Sequence, residues 1–168
     1  PKTPKPPNPK TPAKLRKKKI NLKMSEPVKV ISKEGTEIEI PRNVAELSQV
    51  IMEAINANPD DTVILSEADT PSINRALEFY AKYLDKPYPA LPKPLRNHNL
   101  KDNGLSGEYE WYADFITGIT FDELYNLFVT SNYCSWKSLL DLCSAAVAAE
   151  FKKAEEKNGI QGIRDLLK

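Results

Sequence analysis

The chain has 168 residues, 40% hydrophobic and 28% charged, which is the make-up of one globular domain able to bury roughly 70% of its unfolded surface. Two cysteines are too few for a disulfide framework, no stretch approaches the ~20 apolar residues of a membrane span, and no apolar leader opens the sequence. A disulfide-built secreted scaffold and a spanning protein are thereby excluded, and a soluble protein of a reducing compartment, cytoplasm or nucleus, is expected. The net charge of +1 hides a segregation. Residues 1–24 hold nine basic side chains and no acid, leaving 15 basic against 23 acidic residues and a net charge of −8 for the remainder.

Six of the first twelve residues are proline, and the unit Pro-Lys-Thr-Pro occurs at 1–4 and again at 9–12. Proline fixes φ and removes amide donors, so this arm is predicted to be extended, polyproline-like and disordered when alone. Its basic cluster, Lys14, Arg16, Lys17, Lys18 and Lys19, leaves three readings open. It is an import signal or solvated tail, a dock for a polyanion, or a membrane contact. The last lacks an apolar face. The arm has no aromatic for base stacking, which counts against nucleic acid, whereas an acidic protein polymer such as a microtubule satisfies the charge alone. Thr3 and Thr11 each precede a proline and are candidate phosphorylation sites, where added negative charge would weaken such docking.

From Val28 the pattern changes. Val28, Val30 and Ile31, then Ile38 and Ile40, flank Lys33-Glu34-Gly35-Thr36 and predict a β-hairpin that ends at Pro41. Asn43 is a candidate cap for one helix carrying Val44, Leu47, Val50, Ile51, Ala54 and Ile55, stopped by Asn58-Pro59. Residues 62–65 predict a third strand. Asp69 or Thr70 caps the next helix, with Pro71 in its first turn and Ile73, Ala76, Leu77, Tyr80, Ala81 and Leu84 as its apolar face. Tyr83 is expected to be exposed.

Residues 85–108, with Pro87, Pro89, Pro92 and Pro94, predict a long loop. Trp111, Phe115 and Ile116 mark a short helix. Thr120 through Glu123 open another, with Leu124, Leu127, Phe128 and Tyr133 inward. A further helix begins near Trp136 and carries Leu139, Leu140, Leu142, Cys143, Ala146, Val147 and Phe151. Asn158-Gly159 ends it, and Ile160, Ile163, Leu166 and Leu167 give a last short amphipathic helix. The predicted class is α+β.

Nothing in this order carries catalytic chemistry. His98, the single histidine, sits among asparagines in the loop and reads as a solvated residue rather than a general base. One histidine and two cysteines nine apart do not make a metal site, and no glycine loop cradles phosphate. Cys134 and Cys143 read as small core residues. Trp111 and Trp136 read as core aromatics in preference to interface anchors. Neither an enzyme nor a cofactor is expected.

Residues 28–55, with Ala45, Ser48 and Ile51 in the helical part, followed in order by Val63, Leu65, Phe79 and the proline-rich loop, resemble the opening of the S-phase-kinase-associated (Skp) adaptor family, which is related to elongin C and the BTB/POZ fold. Trp111, Phe115, Leu124, Leu127, Asn132-Tyr133, Lys137 and Leu139-Leu140-Asp141 are similar to the family's second half, and Ile163-Arg164 to the start of its F-box-binding extension. The resemblance covers residues 26–168. It implies an α+β, BTB/POZ-like small sheet with packed helices at 26–150, a short and truncated helical extension at 151–168, and the arm at 1–25.

By the same resemblance the protein is an adaptor that bridges a cullin and an F-box-type protein in a ubiquitin ligase. Asn132 and Tyr133 would be cullin-facing, and Phe151, Ile163, Leu166 and Leu167 F-box-facing. The chain stops at Lys168, where family members continue with another helix and an acidic tail, and the arm is not a family feature. These departures point to a specialised paralogue. The alternative function is that of a structural subunit in a large assembly, for example an axonemal microtubule complex of a cilium, docked through the arm.

Overall fold

The structure, a computed structural model, describes residues 26–59 and 62–168. The expectations placed on the arm, including Lys14, Arg16, Lys17, Lys18, Lys19, Thr3 and Thr11, therefore lie outside the described residues.

The hairpin forms as the β-branched runs predict. Strand β1 (Val28–Ile31) pairs antiparallel with β2 (Glu37–Ile40), with Val28 opposite Ile40 and Ile31 opposite Glu37. Gly35 takes a φ of 82°, which a side chain would resist, and its N–H closes the turn on the Ser32 carbonyl at 2.9 Å. Strand β3 (Val63–Ile64) is shorter than the predicted four residues and lies parallel to the other side of β1, giving the order β2-β1-β3. Val28, Val30, Ile40 and Val63 face the helices and are buried, while Lys29, Glu37, Glu39 and Ile64 face outward.

One predicted helix becomes two. Helix α1 (Arg42–Ala45) starts at Pro41, and α2 (Gln49–Ala57) starts afresh at Ser48, whose side chain accepts the Ile51 N–H. Asn43 caps neither helix. Among the described residues its Oδ1 accepts only the neighbouring Val44 N–H, at 3.0 Å. The break leaves Leu47, which the predicted stripe had buried, 42% exposed.

Helix α3 (Thr70–Tyr83) is capped by Asp69, whose carboxylate accepts the Ser72 N–H at 2.7 Å. Its buried face is Ile73, Ala76, Phe79 and Tyr80; Ala81 and Leu84 are exposed, and Leu77 is half-buried. The stripe is rotated from the predicted one because Phe79 sits at the centre of an aromatic cluster with Tyr80, Tyr83, Tyr88 and Tyr112. Tyr83 is accordingly half-buried, its ring stacked 5.2 Å from that of Phe79, rather than exposed.

The loop after α3 is packed down. Leu95, Leu100 and Leu105 are buried, and the buried Asn103 side chain bonds Arg96 N and the carbonyls of Asn97 and Asn99. A 3-10 turn (Gly107–Tyr109) leads into α4 (Glu110–Thr117), where Trp111 stacks 4.9 Å from Phe115. Helix α5 (Phe121–Tyr133) begins with a capping box: Thr120 Oγ1 accepts the Glu123 N–H, and the Glu123 carboxylate accepts the Thr120 N–H.

Helix α6 (Lys137–Leu166) runs unbroken past residue 150 and is interrupted at Asn158 and Gly159. Helix α5 packs most extensively on α6 and next on α3. Leu127, Trp136, Leu139, Leu142, Cys134 and Cys143 are fully buried there. Each of the larger apolar side chains contributes roughly 1.5–3 kcal/mol by leaving water. The class is α+β, as the order of elements predicts.

Candidate functional site

Asn132 and Tyr133 close α5, and the chain reverses immediately after them. Ser135 adopts a left-handed φ of 57°, its N–H bonds the Asn132 carbonyl at 3.1 Å, and the Trp136 N–H bonds the Ser131 carbonyl at 2.9 Å. Together these form a Schellman closure, with Trp136 as the apolar residue that seals it into the core. Asn132 is exposed and Tyr133 half-buried, so the tip presents one amide and one phenol on a fixed turn.

A second contact holds that turn from behind. The fully buried Ser48 donates its hydroxyl to the Cys134 carbonyl at 2.6 Å while its oxygen accepts the Ile51 N–H. The break between α1 and α2 thus tethers the end of α5, 86 residues away in sequence. Cys134 and Cys143 lie beneath it, their thiols pushed up to about 12 by burial, which keeps them protonated and unreactive.

Phe151, Ile163, Leu166 and Leu167 lie toward the other end of α6. Phe151 is half-buried, with its ring 6.2 Å from Phe121. At the interruption Gly159 takes a φ of 58°, and residues 160–166 fold back on the helix they left. The return is close. A Cβ at the buried Gly162 would stand 2.1 Å from the Ala154 carbonyl oxygen. Ile163 and Leu166 are half-buried, while Ile160 and Leu167 are 70% and 63% exposed. The result is an apolar strip on a short turn that its own domain only partly covers. From Lys137 to Phe151 the helix rises about 21 Å, so the two faces stand at opposite ends of one rigid element.

The long loop braces the middle of α6. Tyr88 donates to the Ser138 carbonyl at 2.6 Å, Lys93 pairs with Asp141 at 2.9 Å, and His98 Nδ1 stands 2.7 Å from a Glu156 carboxylate oxygen. His98 is exposed, as expected of a solvated loop residue, and meets Glu156 at the surface. It also lies at the rim of a pocket of about 150 Å³ over Ile116, Phe121, Leu124 and Ala149. A more open cleft of about 370 Å³ runs between α3 and α5, lined by Asp69, Arg75, Glu78, Glu123 and Asn126. Arg75 is held there by the Phe115 carbonyl at 2.7 Å and by the Phe115 ring, with its Nε unpartnered.

Among the described residues no three His, Cys, Asp or Glu side chains gather as a metal site, and no helix is long and apolar enough to cross a membrane. Sequence patterning had not singled out Ser48 as a tether, Ser135 as a left-handed turn residue, or Gly162. The spacing of Gly162 three residues after Gly159 was the available signal for the last.

No family model matches the chain. Over 131 residues, 77% of the chain, it is 32% identical to a Tetrahymena thermophila protein described as S-phase kinase-associated protein 1 homolog, and the match covers 76% of that protein.

Proposed function

The chain belongs to the S-phase kinase-associated protein 1 family, and on that premise we propose that it is a non-catalytic adaptor joining a cullin scaffold to an F-box-type receptor in a ubiquitin-ligase assembly. The observation that carries this reading is the apolar strip at the end of α6, where Ile160 and Leu167 stand in water beside half-buried Ile163 and Leu166. A turn of helix this short gains stability by burying its strip against a partner. That strip, with Phe151, receives the F-box element.

Asn132 and Tyr133 form the cullin contact. Their Schellman turn is fixed by Trp136 and Ser48, so a partner meets a preorganised surface and little ordering cost is left to binding. The α6 helix sets the distance between the two partners, and neither contact needs the other to form.

Isothermal titration of the full chain against an isolated cullin N-terminal region and, separately, an F-box peptide tests this. Asn132→Lys with Tyr133→Lys should weaken cullin binding at least tenfold and leave F-box binding within twofold. Ile163→Asp with Leu167→Asp should do the reverse. Unchanged affinity for both partners in both double variants would sink the assignment of these faces.

A further inference from the structure

Two asparagines of the chain are followed by glycine, Asn103 and Asn158. Such a pair carries latent chemistry, because a glycine without a Cβ leaves its backbone nitrogen open to the carboxamide before it. Whether that nitrogen reaches the asparagine Cγ depends on how firmly the side chain and backbone are held. The fold treats the two pairs in opposite ways.

Asn103 is buried and locked. Its Oδ1 accepts the Arg96 N–H at 2.7 Å, and its Nδ2 donates to the Asn97 and Asn99 carbonyls at 3.0 and 2.7 Å. Ring closure there would strip a buried amide of these bonds. Asn158 is exposed, and no hydrogen bond holds its side chain among the described residues. Its φ of −140° and ψ of 19°, with 58° and −147° at Gly159, lie outside the helical well. Closure therefore does not first have to unwind a regular turn at this residue.

We propose that Asn158 is a site of spontaneous deamidation and isomerisation, and that the isomerised product releases residues 160–166 from α6. The Gly159 backbone nitrogen attacks Asn158 Cγ. The new N–Cγ bond closes a succinimide, the Cγ–Nδ2 bond breaks, and ammonia leaves with the proton that the Gly159 nitrogen gives up. Solvent water then opens the ring at one of its two carbonyls. Opening at Cγ leaves aspartate. Opening at the Asn158 carbonyl carbon leaves an isoaspartyl linkage, in which the main chain runs through Cβ.

That linkage falls where the chain has no clearance. A Cβ at Gly162 would stand 2.1 Å from the Ala154 carbonyl oxygen and 3.2 Å from the Asn158 Cβ, so the returning segment lies directly against the atom that the main chain now has to pass through. Both products also add a negative charge beside Glu155 and Glu156, at the end of the helical run from Lys137, where the helix dipole is itself negative. The presentation of Ile160, Ile163, Leu166 and Leu167 thus depends on the age of the molecule. The chemistry does not depend on what that strip binds.

Ageing the full chain at mildly alkaline pH, followed by peptide mapping and by methyl labelling with an isoaspartyl methyltransferase, tests the proposal. Deamidation at Asn158 should run at least tenfold faster than at Asn103, and the label should map to Asn158. Asn158→Gln, whose longer side chain closes a larger ring far more slowly, should abolish the label. Hydrogen exchange over residues 160–166 should rise on ageing in the parent chain and not in Asn158→Gln, with residues 137–150 unchanged in both. Equal rates at Asn103 and Asn158, or a label that survives Asn158→Gln, overturns the site. Exchange over 160–166 that stays unaltered once isoaspartate has formed at 158 overturns the release.

Discussion

Replacing Ser48 by alanine removes two hydrogen bonds from one fully buried hydroxyl. The first is the cap of α2, the Ile51 N–H at 3.2 Å, whose loss costs about 1 kcal/mol. The second is the donor to the Cys134 carbonyl at 2.6 Å. Its removal strands a buried acceptor, which costs about 1–3 kcal/mol. The sum, about 2–4 kcal/mol, is a large share of a domain's total stability. With a urea slope of about 2 kcal/mol/M, the unfolding midpoint should fall by about 1–2 M with the slope unchanged. Ser106→Ala is the control. Ser106 is exposed and makes no side-chain cap bond, so its midpoint should move by less than about 0.3 M, consistent with about 0.5 kcal/mol for surface changes. If Ser48→Ala shifts the midpoint no more than the control, the tether between the α1–α2 break and the end of α5 is not a structural constraint, and the claim that the Asn132-Tyr133 turn is held from behind fails with it.

Ser135→Gly should stabilise the chain by about 0.5–1 kcal/mol, since it relieves a left-handed φ of 57° in a side-chain-bearing residue; a loss of stability in urea titration would contradict the Schellman geometry. Gly162→Ala should unseat residues 160–166, because the new methyl would meet the Ala154 carbonyl. Hydrogen exchange should rise over those residues and F-box-peptide binding should drop at least tenfold, with the urea midpoint little changed. Glu34 ties the hairpin turn to α3 by accepting the Thr70 N–H and hydroxyl at 2.9 and 2.8 Å, and these bonds hold its carboxyl down at about 2 from an ordinary 4.5. Because the folded value lies below the unfolded one, this anchor is fully present above about pH 4.5 and is lost as pH falls toward 2. The difference in melting temperature between the parent chain and Glu34→Gln should be present at pH 7 and close over that interval, whereas a constant difference would refute the anchor.

What could be read from the sequence is what local chemistry decides. The hairpin with its Gly35 turn, the helix start at Asp69 or Thr70, the helix start at Thr120 through Glu123, and the interruption at Asn158-Gly159 all rest on residues within one turn of each other. The errors arise where distant contacts override the local period. The single helix expected from Asn43 to Ile55 runs through Ser48 without a break until the Cys134 carbonyl claims its hydroxyl. The stripe of α3 rotates because Phe79 joins rings contributed by the loop and by α4, which no window on the helix contains. His98 is exposed, as its loop setting predicts, and only its ion-pair partner, Glu156, lies too far off, 58 positions away, to be read from the sequence. For the candidate faces, the residues came from the order of family-like matches, whereas their presentation depends on Ser135 and Gly162, whose roles are set by backbone approach and carry no hydropathy signal.

The central claim is that one rigid chain holds two different partners at once. Light scattering coupled to size exclusion, on an equimolar mixture of the full chain, a cullin N-terminal region and an F-box protein, tests it most directly. The account predicts a single 1:1:1 complex, with no direct cullin–F-box association when the chain is omitted. Elution of the chain as a species free of both partners, or with the two partners competing for it, would contradict the adaptor.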